Sequence, residues 1–261
     1  MKIGHHLQAT RVAAPLVHNI TNFVAMDVLA NALLALGASP AMVHANDEVE
    51  EFAGLAQALA INIGTVDAGW APAMATAASV MQRRGRPWVL DPVAVGATRY
   101  RRELCERLLD HQPTVVRGNA SEILALAGHA ARAAGMDSRD AVSDAEAAAR
   151  ALALRTGGIV IATGEIDYAT DGERAYRVAN GHPWMCKVTA MGCALTGVVA
   201  AFLAAESSLE SSVAALAYYG LAGERAAAVS NGPGSFRTAF MDALYLITPA
   251  ELDAQARITR A

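Results

Sequence analysis

Short apolar runs that end in polar or turn residues alternate along this chain with longer Ala- and Leu-rich segments. The runs are residues 60–65 (AINIGT), 88–92 (WVLDP), 114–119 (TVVRGN) and 158–164 (GIVIATG). Each is short, continuous and bounded by turn residues, which predicts buried strands. The segments between them, 68–84, 101–109, 120–126 and 143–155, read as helices. Such alternation argues for an α/β fold with a mostly parallel central sheet, flanked by helices on both faces. Residues 174–178 and 184–187 are more polar and flank Asn180-Gly181, so they read as an edge hairpin. From Cys193 onward the pattern is helical, over 194–205, 209–230 and 235–247. No linker, repeat or low-complexity stretch interrupts the alternation, which predicts one domain over residues 1–261.

Composition narrows the class. The chain has 261 residues, a formal net charge of −4, 54% hydrophobic residues and 18% charged ones. That is too apolar for a disordered chain and offers no basic footprint for nucleic acid. Residues 28–46 and 188–205 lack charges, but Asn, Gly, Ser, Pro and His interrupt the first and Thr and Gly the Ala-rich second. They read as buried segments of a soluble protein, with no membrane association. Three cysteines without CxxC spacing suggest neither a disulfide framework nor structural zinc, and the N-terminus lacks a signal-peptide pattern. A reducing, cytoplasmic location is expected.

Ligands of open parallel sheets bind beyond the carboxyl ends of the strands. The runs end in Asn62 and Thr65, Asp91, Arg117 and Asn119, and Thr163 and Gly164. Any one of these is an ordinary cap or turn residue; four successive polar termini predict a binding edge. Asp91, before Pro92, reads as a turn cap or as a partner for a metal or hydroxyl. Arg117 closes an apolar strand, so it pairs with a carboxylate of the fold or meets a ligand anion. The ligand is the favoured reading. Asn119 and Glu122 have capping-box spacing, and Glu122 reads equally as a group that orients a metal-bound water. Thr189-Ala190-Met191-Gly192-Cys193 opens an Ala-rich helix whose free amides suit an anion. Cys193 at that positive end is expected to have a lowered thiol pKa, whereas Cys105 and Cys186 read as small buried residues. His18 is a candidate base without an identified partner. Asn19, Thr21 and Asn22 read as helix caps. His44 and His182 read as structural, Met42 as core or as the wall of an apolar ring site, and Asn231-Gly232-Pro233-Gly234 as an interhelical turn or nucleotide-pocket lining.

These segments resemble the hydroxyethylthiazole kinase family of the ribokinase-like superfamily. The resemblance covers nearly the whole chain and rests on residues 15–31 (PLVHNITNFVAMDVLAN), 37–42 (GASPAM), 61–65 (INIGT), 89–97 (VLDPVAVGA), 115–123 (VVRGNASEI), 162–168 (ATGEIDY) and 188–197 (VTAMGCALTG). It implies transfer of the ATP γ-phosphoryl, with Mg²⁺, to the primary alcohol of 4-methyl-5-(2-hydroxyethyl)thiazole. It also implies a homotrimer with the thiazole site between subunits. Carried over, it places Met42 and the Ala190 backbone on the thiazole, and Arg117 and Thr163 on ATP. Asp91 and Glu122 would surround Mg²⁺ and the phosphates, the Gly192 turn would form an anion hole, and Cys193 would be the base. Cys193 falls where other ribokinase-like kinases carry an aspartate. Many family members have Gly where this chain has Ala190, a change that a backbone contact survives if φ is negative.

Overall fold

The computed structural model describes residues 1–128 and 138–261, with the side chains of 138–142 left aside. One sheet of nine strands runs through these residues. Its strands are β1 (Leu16–Ile20), β2 (Ser39–Ala41), β3 (Ala58–Asn62), β4 (Trp88–Asp91), β5 (Val115–Asn119), β6 (Ile159–Thr163), β7 (Asp167–Thr170), β8 (Ala175–Val178) and β9 (Ile258–Arg260). The spatial order is β2-β1-β3-β4-β5-β6-β7-β8-β9. Pairing is parallel from β2 to β6 and antiparallel from β6 to β9.

The parallel strands are apolar on both sides because helices cover both faces. Alternate residues feed separate cores: Val89, Val115, Ile159 and Ile161 join one cluster, while Trp88, Leu90, Val116 and Val160 join the other. The first cluster lies under α1 (Gly4–Ala13), α2 (Met26–Leu36), α8 (Met191–Ala205), α9 (Leu209–Val229) and α10 (Pro233–Leu246). The second lies under α3 (Val49–Leu55), α4 (Trp70–Arg84), α5 (Arg99–Leu109), α6 (Ala120–Leu126) and α7 (Ser138–Thr156). A last helix, α11 (Pro249–Gln255), precedes β9. Every residue of α8 from Ala194 to Leu203 is buried. That all-round burial explains why its sequence shows no amphipathic period.

The four central strands and the helices between them lie within a few residues of the positions expected from the sequence. Three expectations fail. Residues 184–187 are not a strand; Pro183–Lys187 form a 3-10 helix with Pro at its start and the His182 side chain accepting from Trp184 N. The partner of β8 is β7, and their turn uses Asp171-Gly172 rather than Asn180-Gly181. There the Asp171 carboxylate accepts from the amides of Glu173 and Arg174, and Gly172 adopts φ 95°. Finally, residues 17–23 do not simply lead into a helix: most of them form β1, whose pairing with β2 and β3 only the tertiary fold supplies.

Candidate active site

The parallel strands deliver polar side chains to one edge, where α8 begins. Asp91, the last residue of β4, is fully buried. Its Oδ2 accepts from Asn62 Nδ2 at the end of β3 (2.6 Å) and from Thr196 Oγ1 on α8 (2.8 Å), and it lies 3.6 Å from Arg117 Nη1. Oδ1 is buried and has no hydrogen-bond partner among the described residues. Burial pushes the carboxyl up to about 6, against the pull of Arg117 and with the help of Glu122. The partners of Asp91 are thus side chains from β3, β5 and α8 rather than the backbone amides of a turn.

Of the two partners that the sequence left open for Arg117, the structure shows the carboxylate of the fold. Arg117 faces the Asp91 carboxylate, and it also donates to the Gly192 carbonyl (3.1 Å) and to Thr163 Oγ1 (2.8 Å). Thr163 in turn donates to the Gly118 carbonyl. A Cβ on Gly192 would lie 3.2 Å from both Arg117 terminal nitrogens, so this glycine lets the guanidinium reach the start of α8. Glu122 completes the capping box with Asn119 and also accepts from Ala94 N, which ties α6 to the loop after β4.

Cys193 lies in the first turn of α8, half-buried, and accepts from Asn22 Nδ2 at 3.3 Å. Asn22 also donates to Asn62 Oδ1 (2.8 Å), so an amide chain links the thiol to Asp91. The expected lowering of the thiol pKa does not occur. Burial, reinforced by the Asp91 charge, raises it and outweighs the hydrogen bond from Asn22. Of the other cysteines, Cys105 is buried as expected, but Cys186 is exposed on the 3-10 helix. Ala190, the N-cap of α8, adopts φ 66° and ψ 3°. It is thus left-handed, outside the negative-φ condition under which alanine replaces glycine freely.

Met42 follows β2 and packs half-buried on the cluster beneath α2 and α8. The structure supplies the partner that the sequence did not reveal for His18: its Nε2 bonds the Val43 carbonyl (2.6 Å), its ring sits edge-on to Phe52, and burial lowers its pKa. Asn19 Nδ2 reaches the Ala41 carbonyl (3.4 Å). The two β1 side chains thus hold the backbone on either side of Met42. Asn22, not Asn19 or Thr21, caps the turn into α2, accepting from Ala25 N. His44 stacks on Trp70, and His182 packs beside Trp184 and Phe236. Gly232 and Pro233 form the start of α10.

The structure therefore joins Asp91, Arg117, Thr163 and Gly192 directly, and Cys193 through Asn22 and Asn62. Met42 stands apart, just after β2, the second strand beyond β3 in the sheet. Sequence reasoning missed Thr196, which looks like an ordinary helical residue, and Arg101. Arg101 reaches back from α5 to the carbonyls of Ile63 (2.6 Å), Gly64 (2.7 Å) and Val93 (2.9 Å), and so ties together the loops after β3 and β4. Only the sheet order makes either role visible.

Solved ribokinase-like structures superpose on this fold. Pyridoxal kinase from Staphylococcus aureus, in complex with AMP-PCP and pyridoxal, superposes with a TM-score of 0.61 at 15% identity, over 95% of this chain and 99% of that one, which shows the fold alone. The fold is ribokinase-like. The hydroxyethylthiazole kinase protein from Pyrococcus horikoshii OT3 superposes with a TM-score of 0.92 at 39% identity, over 99% of this chain and 98% of that one. Hydroxyethylthiazole kinase from Cereibacter sphaeroides is 57% identical over 258 residues, covering 99% of this chain and 98% of its own. The enzyme of the same name from Rhizobium leguminosarum is 53% identical over 260 residues, covering 99% and 97%. The sequence profile of the hydroxyethylthiazole kinase family matches residues 7–250. The chain belongs to the hydroxyethylthiazole kinase family and is a kinase.

Proposed function

We propose that this chain, acting as one domain of residues 1–261, transfers the γ-phosphoryl of ATP to the primary hydroxyl of 4-methyl-5-(2-hydroxyethyl)thiazole. The observation that carries the reading is the buried Asp91–Arg117 pair beside the first amides of α8, with Cys193 in the same helical turn. A loose phosphoryl-transfer transition state needs positioning and charge neutralisation more than covalent help. Arg117 supplies a fixed cation, and the first amides of α8, led by the Gly192 turn, supply donors that an α-helix leaves without internal acceptors. Thr163 holds the Arg117 fork in place and, with it, forms the ATP-facing edge on β5 and β6.

The residues present fit Mg²⁺. It prefers oxygen donors, and Asp91 Oδ1 is a buried carboxylate oxygen with no hydrogen bond among the described residues. Asp91 and Glu122 would hold it. When bound, it would neutralise charge on the transferring phosphates. Cys193 would take the proton of the substrate hydroxyl. Its raised pKa makes the thiolate scarce in the free protein, while the Asn22 N–H and the Arg117 charge favour it. Such a base suits a transition state in which the alcohol loses its proton late. Met42 and the Ala190 backbone would contact the thiazole at the β2 end of the edge. The phosphate end at β4 to β6 is then three to five strand spacings along the sheet, about 14–24 Å, with the start of α8 between the two ends.

We place the active form as a homotrimer with the thiazole site at a subunit interface. Supporting this, Phe23 and Val24, directly after Asn22, are exposed apolar residues at the rim of the site. Three unpaired cysteines suit a reducing cytoplasm, and no helix among the described residues is long and apolar enough to cross a membrane.

The test is a panel: ATP and Mg²⁺ with hydroxyethylthiazole, hydroxymethylpyrimidine, pyridoxal and ribose. Product from the thiazole alone is the expected result. Product from another alcohol instead would reassign the substrate within the fold, and thiazole binding without ATP consumption would make the chain a binding module.

A further inference from the structure

A second cluster of ligating side chains lies at the opposite end of α8. One ring nitrogen each of His5 and His6 and one carboxylate oxygen of Glu206 lie within 4.8 Å of one another. His6 is buried. Its Nδ1 lies 3.0 Å from Glu206 Oε2 and yet completes no hydrogen bond among the described residues. A buried ring nitrogen and a carboxylate oxygen already at contact distance, with a second imidazole beside them, are placed to share one cation.

The backbone under these side chains is fixed. Asp253 Oδ1 accepts from the amides of Ile3 (2.6 Å) and Gly4 (2.7 Å), which also offsets the positive end of α1. A Cβ at Gly4 would meet the Pro249 carbonyl oxygen at 2.2 Å, so α1 starts in close contact with α11. Glu206 is the C-cap of α8, its amide bonded to the Phe202 carbonyl, and the negative end of α8 faces the cluster. Glu210 adds a second negative charge nearby. The His5 and His6 rings lie 3.9 Å apart between centroids.

We infer that His5, His6 and Glu206 form a binding site for a divalent transition-metal ion of the Zn²⁺ type, fastening the start of α1 to the end of α8. Two imidazoles and a carboxylate are a zinc ligand set, with water completing the tetrahedron. Ligand nitrogens and oxygens about 2.0–2.2 Å from the metal stand closer together than 4.8 Å, so the cluster must contract, and the exposed His5 and Glu206 side chains are free to do so. Glu206 is thirteen residues beyond Cys193, about 20 Å along the helix axis, so this site is separate from the phosphoryl-transfer edge.

The test is titration of the chelator-treated full chain with Zn²⁺, followed by calorimetry and thermal melting, with excess Mg²⁺ present to occupy the catalytic carboxylates. Wild type should take up one equivalent and melt at a higher temperature with the metal. His5→Ala and Glu206→Gln, both at exposed positions, should each weaken uptake by about tenfold or more and lose that rise, with kinase turnover unchanged. Co²⁺ in place of Zn²⁺ should give the d–d bands of a tetrahedral nitrogen–oxygen site without a thiolate charge-transfer band. Absence of uptake, undiminished uptake in the His5→Ala/Glu206→Gln double variant, or a thiolate band from Cys186 or Cys193 would each overturn the assignment.

Discussion

Helix α8 joins two regions built on opposite terms. Over Ala194–Leu203 it is buried on every side against α1, α2, α9 and the sheet, and its partners are Leu, Val, Phe and Tyr side chains. At its first turn it meets a buried carboxylate, a guanidinium, two asparagine amides and a thiol. The core lowers the free energy of the fold by removing apolar surface from water. The site does the reverse, because burying Asp91 disfavours its charged form enough to move the carboxyl up to about 6. Thr196 belongs to both regions, since it sits within the apolar helix yet donates to Asp91. The polar edge at the start of α8 is held by its neighbours rather than by its own stability.

If so, changes at the two regions should separate activity from stability. Arg117→Ala should lower kcat/KM by about 10³-fold, the scale of removing a preorganised charge donor, in steady-state kinetics. It should also move the acid limb of the pH–rate profile upward, because Asp91 loses its cation. Phe202→Ala in the core should cost about 3–5 kcal/mol in denaturant unfolding. Its turnover per folded molecule, read well below the melting temperature, should stay near wild type; a collapse of turnover would break the separation.

Cys193→Ala should lower turnover by about 10²-fold without abolishing it, the lower end of what a positioned base contributes. Cys193→Asp should exceed the alanine variant. An Asp variant that binds ATP and is inactive would remove Cys193 from the base role.

The pH dependence of Asp91 has a definite sign. Its folded pKa, about 6, lies above its usual value of 3.8. The folded state therefore holds the proton more tightly, and the Asp91 contribution to stability falls as pH rises from about 4 to about 6. Activity runs the other way, since only ionised Asp91 can serve a cation, and should fall as pH drops through about 6. Asp91→Asn should flatten that stability window in pH-dependent unfolding while removing turnover. The smallest effect is at the cap: Ala190→Gly should raise stability by about 1 kcal/mol in thermal melts, by relieving a left-handed alanine.

Much of this was readable from residue order. The runs ending in Asp91, Arg117 and Thr163 were legible as strands because each is apolar, short and closed by a polar residue. The family motifs placed the same residues at a kinase site. The hairpin was misplaced because two dipeptides, Asn180-Gly181 and Asp171-Gly172, carry the same turn chemistry, and only pairing with β6 selects between them. β1 was missed because its polar His18 and Asn19 look like loop residues, and only their bonds to the Val43 and Ala41 carbonyls explain their burial.

Residue order by itself determined the alternation of strand and helix, the family, and the identity of the charged strand ends. Those follow from local periodicity and from side-chain chemistry. The tertiary structure decided the sign of the Cys193 shift, the pairing of Arg117 with Asp91, the left-handed Ala190 and the clustering of His5 and His6 with Glu206. Each depends on groups distant in sequence, and on how much water their packing excludes. Desolvation and charge proximity are properties of the folded arrangement, which no local pattern contains.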